Sequence, residues 1–398
     1  MFRAFFGLLM CVAALRLFAY GWIEEQLVAP TFHFLWSAWV PVPGPWGIHA
    51  LVATQALAGL LAALSPRPRP FLAVAMACFA WVELLDKALY LNHHVLMALL
   101  GATLVLLPEP RERTVAPWVT SLLRLEVGLV WWWAGVAKLN ADWLLRAEPL
   151  ATWLHARADL PLVGVLLDLP ATAWAMSWGG ALYDLTIPFL LLYQRTRPVG
   201  MALVLAFHAV VGWLFPIGVF PWLMVLGATV FLDPSWPRAW LHPSPAPPPT
   251  PDRPPPLGGR LALAVLASAL TLAPARGLLE GSEPAWSEQG QRFAWRVLIA
   301  EKTGFVELLV HEPDGRTTRI APGRHLTPLQ HAMMRTQPDM IRDFAQAWCG
   351  GGRVVTAESW ASLNGRPAQH LVRPGVDLCL SERELRASGW IEPLARDM

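Results

Sequence analysis

Long apolar segments constrain this chain more than anything else in it. They lie near 4–21, 47–64, 70–86, 93–108, 117–138, 174–193, 199–215, 217–232 and 260–275. A helix rises ~1.5 Å per residue, so about 20 apolar residues cross the ~30 Å hydrocarbon core of a bilayer. Inside that core each backbone polar group must be satisfied within the helix itself. Hydrophobic residues make up 55% of the 398 and charged residues 15%, against about 25% charged in soluble domains. The pattern predicts a mainly α membrane protein, a polytopic helical bundle of about nine transmembrane helices followed by a small α+β extracytoplasmic domain. The expected organisation is a transmembrane bundle over 1–241, a Pro-rich cytoplasmic linker over 242–259, a last transmembrane helix over 260–275 and the α+β domain over 276–398.

Charge sets the expected orientation. Arg3, Arg67, Arg69, Arg111, Arg113, Arg195, Arg197, Arg238, Arg253 and Arg260 fall on one side of a nine-span chain, and the positive-inside rule makes that side cytoplasmic. The N-terminus is then cytoplasmic and the C-terminal domain extracytoplasmic, periplasmic in a bacterium. Arg146 and Arg157 are a mild exception, in a Trp-rich loop read as lying along the outer interface. The first run is read as a retained span, because Arg16 follows directly and no clear small-residue cleavage site does. The 22 Trp, many near run ends, suit interfacial belts. A net charge of +2 leaves no footprint for nucleic acid. Metal and nucleotide motifs are missing, so no metal is expected. Cys349 and Cys379 can pair if their domain meets an oxidising compartment.

Beyond residue 276 the sequence turns polar and mixed. Segments 293–299 and 305–310 alternate like strands, Glu312-Pro313-Asp314-Gly315 is a turn signal, and 317–320 is a hairpin partner. Thr327 caps a helix with Pro328 in its first position. A second helix stops at Gly350-Gly351-Gly352, and a strand over 354–363 meets a turn at Asn364-Gly365.

Ionisable groups inside apolar spans are expensive, so their placement is the best clue to function. Asp86 and Lys87 end the third run, Asn92, His93 and His94 open the fourth, Lys138 ends the fifth, Asp184 lies in the sixth and His208 in the seventh. In the expected topology all fall at one depth on the outer side. Lys138 has two readings: an anchor whose ammonium snorkels to the headgroups, or a partly desolvated amine usable as a base. Asp184 must pair with some cation. The histidines could simply be interfacial or satisfied core residues, and Asp86 with Lys87 a helix-end pair. The coincidence in depth favours an outward-facing polar cavity lined by Lys138, Asn92, His93 and Asp184, with aromatic walls from Trp131-Trp132-Trp133. Such a cavity suits an apolar ring carrying a proton to remove. A transporter is disfavoured, since no inverted repeat or broken-helix pair is apparent.

At these residues the chain resembles the vitamin K-dependent γ-glutamyl carboxylases and their bacterial relatives with a horizontally transferred transmembrane domain. The resemblance is carried by Leu85-Asp86-Lys87 with Asn92-His93, by Ala134-Gly135-Val136-Ala137-Lys138-Leu139-Asn140-Ala141-Asp142-Trp143, by Trp178-Gly179-Gly180-Ala181-Leu182-Tyr183-Asp184-Leu185, by Phe207-His208 and by Pro234-Ser235-Trp236-Pro237. It continues through Trp295-Arg296-Val297, Glu301-Lys302-Thr303-Gly304, Thr336-Gln337-Pro338-Asp339-Met340 and Ser362-Leu363-Asn364-Gly365-Arg366-Pro367. It implies an enzyme of the lipid bilayer in which Lys138 deprotonates a reduced vitamin K hydroquinone. O2 then converts the cofactor to its epoxide through a strong base, and a glutamate of a protein or peptide substrate is carboxylated with CO2. It also implies that His93 orients the quinone or substrate or stabilises developing charge, that Asn92 hydrogen-bonds a quinone oxygen, that Asp86 fixes His93 or Lys87, and that Trp132, Asp86, Asp184 and His208 complete the quinone site. Loop 22–46 has no cysteine, so the disulfide that ties an outer loop to the soluble domain in the animal enzymes cannot form, and their long C-terminal part is expected to be missing. The alternatives are a quinone-epoxidising homologue without Glu carboxylation and a non-enzymatic membrane binding module.

Overall fold

The computed structural model describes residues 1–107, 116–234, 236, 257–279, 283–381 and 389–395. Arg111, Arg113, Arg238, Arg253 and the proline-rich stretch 242–256 lie outside them. Within them each apolar run is a helix: α1 (Phe2–Ala19), α2 (Pro45–Leu64), α3 (Arg69–Leu85), α4 (Asn92–Leu106), α5 (Pro117–Ala137), α6 (Pro170–Leu192), α7 (Arg197–Leu214), α8 (Phe220–Ala228) and α9 (Leu257–Leu272). The last begins inside the segment expected to be linker. Proline occupies the first turn of α2, α3 and α5 through α8, where its missing N–H has no intrahelical partner to lose.

Length divides these helices. Five of them, α1, α2, α6, α7 and the stretch Leu257–Leu278, are long and apolar enough to cross a membrane. The expected count of about nine is not reached by that measure. At 15 residues α4 covers only about 22 Å. It and the short apolar helix Phe220–Phe231 contribute buried residues to the bundle core, where Leu96, Met97 and Leu100 cluster with Leu223, Met224, Phe6 and Leu122. The bundle is tightened by small residues: a Cβ added at Gly7 or Gly59 would sit 2.7 Å from the other's carbonyl oxygen, so α1 and α2 meet backbone to backbone.

One end of the bundle is lined with arginine. Arg3, Arg69, Arg124 and Arg197 donate to Leu107, Val105, Val230 and Leu191 carbonyls at 2.8, 2.9, 2.9 and 2.9 Å. Helix C-termini leave such carbonyls unpaired, so each guanidinium closes a helix end on a neighbour.

The other end carries the C-terminal domain. Strands β1 (Lys302–His311), β2 (Thr317–Ile320), β3 (Val354–Leu363) and β4 (Gln369–His370) form an antiparallel sheet in the order β2-β1-β3-β4. Alternation sends Val306, Leu308 and Val310 inward against Met340, Ile341 and Phe344. Those last three come from α11 (Pro338–Gln346), which follows α10 (Pro328–Met334). Thr327 and Gln330 close a reciprocal capping box at the start of α10. Cys349 and Cys379 are joined by a disulfide.

Segment 293–299 overturns its expected strand. Phe293, Trp295 and Leu298 have φ of 58°, 55° and 51°, left-handed values that no pleated strand holds. Trp295 is instead buried in the membrane-bundle cluster. Its alternating pattern records a loop dipping into the bundle.

The domain is seated on the ends of α3 and α5 by polar clasps. Lys87 Nζ lies 2.5 Å from Asp343 and 3.2 Å from Asp339, and Gln330 Nε2 donates to Asp86 Oδ2 at 2.6 Å. Arg366 grips both oxygens of Asp142 at 2.6 and 2.7 Å, while Asn364 Nδ2 donates to the same carboxylate at 2.7 Å.

Candidate active site

Lys138 is the C-cap of α5, one turn beyond Gly135. A Cβ at Gly135 would stand 2.8 Å from Leu185 Cγ and 2.9 Å from the Leu185 backbone nitrogen. Glycine there lets α5 and α6 approach closely, and the next residue back along α6 is Asp184. Lys138 Nζ donates to Asp184 Oδ2 at 2.7 Å and to the Ala134 carbonyl at 3.3 Å, and lies 5.1 Å from the centre of the Trp143 ring. Both side chains are buried, with Lys138 6% and Asp184 5% exposed. A buried pair of this kind has lost its hydration and rests on its partner. Its net charge is zero whichever of the two holds the shared proton. When the proton sits on Asp184, the amine offers a lone pair.

His208 enters from α7. Its Nδ1 is 3.0 Å from the Val204 carbonyl oxygen. A carbonyl only accepts, so that bond puts the proton on Nδ1 and leaves Nε2 as an acceptor.

Lys138, Asp184 and His208 open on one cavity walled by Trp131, Trp143, Trp153, Phe207, Phe215 and Phe220, with Val297 and Leu298 also in its lining. Its free space is about 80 Å³, enough for a few waters and well below the ~300–1,000 Å³ of small-molecule pockets. Trp131 Nε1 is buried and has no acceptor among the described residues. An apolar ring bearing oxygen atoms matches this chemistry: aromatic walls, an amine–carboxylate pair, an imidazole acceptor and an unspent indole donor.

Val297 and Leu298 belong to the left-handed segment. Three such backbone conformations cost roughly 1–3 kcal/mol each, which surrounding contacts must offset. Tyr90 Oη accepts from the Phe293 N–H at 2.6 Å and donates to Asn92 Oδ1 at 3.1 Å, and Asn92 Nδ2 donates to the Arg296 carbonyl at 3.3 Å. Burial pushes the Tyr90 phenol up to about 12, so it stays a hydroxyl donor at physiological pH.

The expected site residues divide. Lys138, Asp184 and His208 come together. Asn92 is engaged with the 293–298 segment. His93 is absent from the cavity lining: its ring lies 5.8 Å from Phe220, which is also 5.8 Å from His208. Asp86 caps Lys87–Leu89 through the Ala88 N–H at 2.9 Å and receives Gln330, so its oxygens serve the domain joint. Lys87 is bound to Asp339 and Asp343 rather than to Asp86. Trp132 is 37% exposed and meets Phe189 edge-on in a separate groove with Arg124 and Pro188, while its neighbour Trp131 lines the cavity. Trp143, Trp153, Val297 and Leu298 went unassigned in the sequence. Trp143 and the segment 295–297 stand inside the family motifs, which is the signal that marked them.

Residues 1–236 match the family model described as the HTTM domain, and residues 260–397 match the one described as Vitamin K-dependent gamma-carboxylase, lumenal domain. No solved structure matches the chain.

Proposed function

The chain belongs to the vitamin K-dependent gamma-glutamyl carboxylase family, and from that premise we propose that it is a membrane carboxylase-like enzyme in which Lys138 is the base acting on a reduced vitamin K hydroquinone. The observation that carries this reading is the Lys138–Asp184 pair, 2.7 Å apart and facing an aromatic cavity beside His208.

The cavity residues fit a hydroquinone ring. Trp131, Trp143 and Phe220 would hold its faces, His208 Nε2 would accept from one hydroxyl and Lys138 would meet the other. When bound, that group supplies, with O2, a base far stronger than any side chain, which is what removing the γ-proton of a peptidyl glutamate before addition of CO2 requires. The chain's own work is smaller. Asp184 takes the proton that Lys138 carries, so that the amine can accept one from a ligand hydroxyl. The ammonium then formed lies beside the neutral Asp184 acid, and the charge it must balance is the anion left on the ligand oxygen, in surroundings of low dielectric. The aromatic walls and the 293–298 segment exclude water, which would quench a strong base.

In this reading the arginine-lined end of the bundle is cytoplasmic, on the positive-inside rule, and the shorter helices complete a bundle of about nine passes. The disulfide-bearing sheet domain stands outside, where an acidic protein or peptide substrate reaches the cavity.

The test is one incubation of the purified detergent-solubilised protein with reduced vitamin K, bicarbonate, O2 and a Glu-containing peptide, with Lys138→Ala as control. Lys138-dependent epoxide together with fixed CO2 is the expected result. Epoxide alone would replace the carboxylase by a quinone-epoxidising homologue. Neither product from a folded protein, across several quinones, would leave a binding module.

A further inference from the structure

We propose that residues 293–298 are the gate through which the aqueous substrate reaches the Lys138 cavity, and that Tyr90 and Asn92 are positioning residues that latch it. The assignment rests on the reading of the cavity as the catalytic site. The cavity's free space, about 80 Å³, admits neither a fused ring nor a glutamate side chain without movement. Its walls cannot easily supply that movement. Apart from Val297 and Leu298 they come from α5, α6, α7, α8 and the helical turns carrying Trp143, Leu150 and Trp153, and α5 and α6 approach closely at Gly135 and Leu185.

The 293–298 segment is built differently. It arrives from the extracytoplasmic domain, has no regular hydrogen-bond ladder, and carries left-handed φ at Phe293, Trp295 and Leu298. Its hold on the bundle is local. Tyr90 Oη takes the Phe293 N–H and Asn92 Nδ2 the Arg296 carbonyl, at 2.6 and 3.3 Å, and the Phe293 ring packs 5.2 Å from Tyr90 and 5.4 Å from Trp36. Strain in the closed segment favours opening; the two latch bonds, the buried Trp295, the Arg276 bond to the Phe293 carbonyl at 3.5 Å and the Arg296 bonds to Gln291 and Glu283 at 2.8 and 3.2 Å oppose it. Asn92 therefore acts on the reaction through this segment, at a distance from the cofactor.

Gating can be read without turnover. In a parent with Cys11→Ser and Cys78→Ser, keeping the Cys349–Cys379 disulfide, Val211→Cys places a thiol in the cavity wall. The protein is held in nanodiscs and treated with a charged methanethiosulfonate reagent. Labelling is expected to be slow, and to accelerate about 10-fold when Tyr90→Phe or Asn92→Asp removes one latch bond. A second thiol, Val52→Cys, buried in α2, reports general loosening. Unchanged labelling at 211 in folded latch variants overturns the gate, as does equal acceleration at 52 and 211. Because no product is measured, a failure of the gate and a failure of the Lys138 chemistry are told apart.

Discussion

Lys138 and Asp184 are 46 residues apart in sequence and 2.7 Å apart in space, both buried, with the amine of one on the carboxylate of the other. Breaking a buried pair by removing one partner costs about 3–5 kcal/mol, whereas replacing both with apolar residues of similar volume is often neutral. Lys138→Met is thus expected to lose epoxide formation and to melt lower. Adding Asp184→Leu is expected to restore the melting temperature and leave activity absent. Thermal unfolding in detergent and an epoxide assay on the same preparations check both halves; a double variant that still makes epoxide would sink the assignment of Lys138.

Gly135 sets the spacing that makes this pair. Gly135→Ala puts a methyl 2.8 Å from Leu185 Cγ and 2.9 Å from its backbone nitrogen. Overpacking of this sort costs about 1–3 kcal/mol. We expect turnover to fall at least as sharply as stability, because the helices can part only by moving Lys138 away from Asp184. Leu185→Ala clears the side chain but not the backbone, so it is expected to leave turnover of the Gly135→Ala protein low. Full recovery in that double variant would show that the side chain alone set the limit.

The Asp142–Arg366 clasp gives the domain docking an acid limit. Burial works to raise the Asp142 carboxyl, but hydrogen bonds from Arg366 and Asn364 outweigh it and hold the group below the usual carboxylate range. A depressed folded value means that its contribution is complete above the unfolded value, near pH 4, and is lost as pH falls through the folded one. Asp142→Asn is expected to flatten that part of the stability–pH curve. Asp142→Ala, which strands Arg366, is expected to cost about 2–5 kcal/mol. Melting curves between pH 3 and 7, taken on wild type and both variants, decide this; an unaltered acid limb in Asp142→Asn would assign it to other carboxylates.

The Cys349–Cys379 bridge closes a segment 30 residues long that includes β3. Cross-links of this span stabilise by about 2–4 kcal/mol, chiefly by restricting the unfolded chain. Cys349→Ser is expected to lower the melting temperature of the sheet domain. Limited proteolysis should then cut between the two cysteine positions first. Equal protease resistance in variant and wild type would mean that packing around Phe344 and Leu378 suffices.

Hydropathy located the helical runs, because satisfying a backbone in lipid leaves the chain few options, and Thr327-Pro328 announced α10 through local capping chemistry. Lys138, Asp184 and His208 were legible as costly groups at one depth. Their mutual contacts were not, since depth along a helix says nothing of the direction a side chain faces. Trp131 and Trp132 illustrate this: adjacent in sequence, they point about 100° apart on a helix, so one lines the cavity and the other a separate groove. Asp86 and Asn92 read as site residues because they share that depth, yet the C-terminal domain claims both through Gln330 and Arg296. Segment 293–299 shows the same limit, its alternation matching a strand while its backbone is left-handed at three positions. A helical bundle of apolar runs, a layer of polar groups at one depth and a sheet domain were readable from residue order, because those follow from solvation and hydrogen bonding along the chain. Which polar groups meet one another and which hold the domains together emerged from the packing alone, because those pairings depend on helix rotation, close backbone approach and contacts hundreds of residues apart.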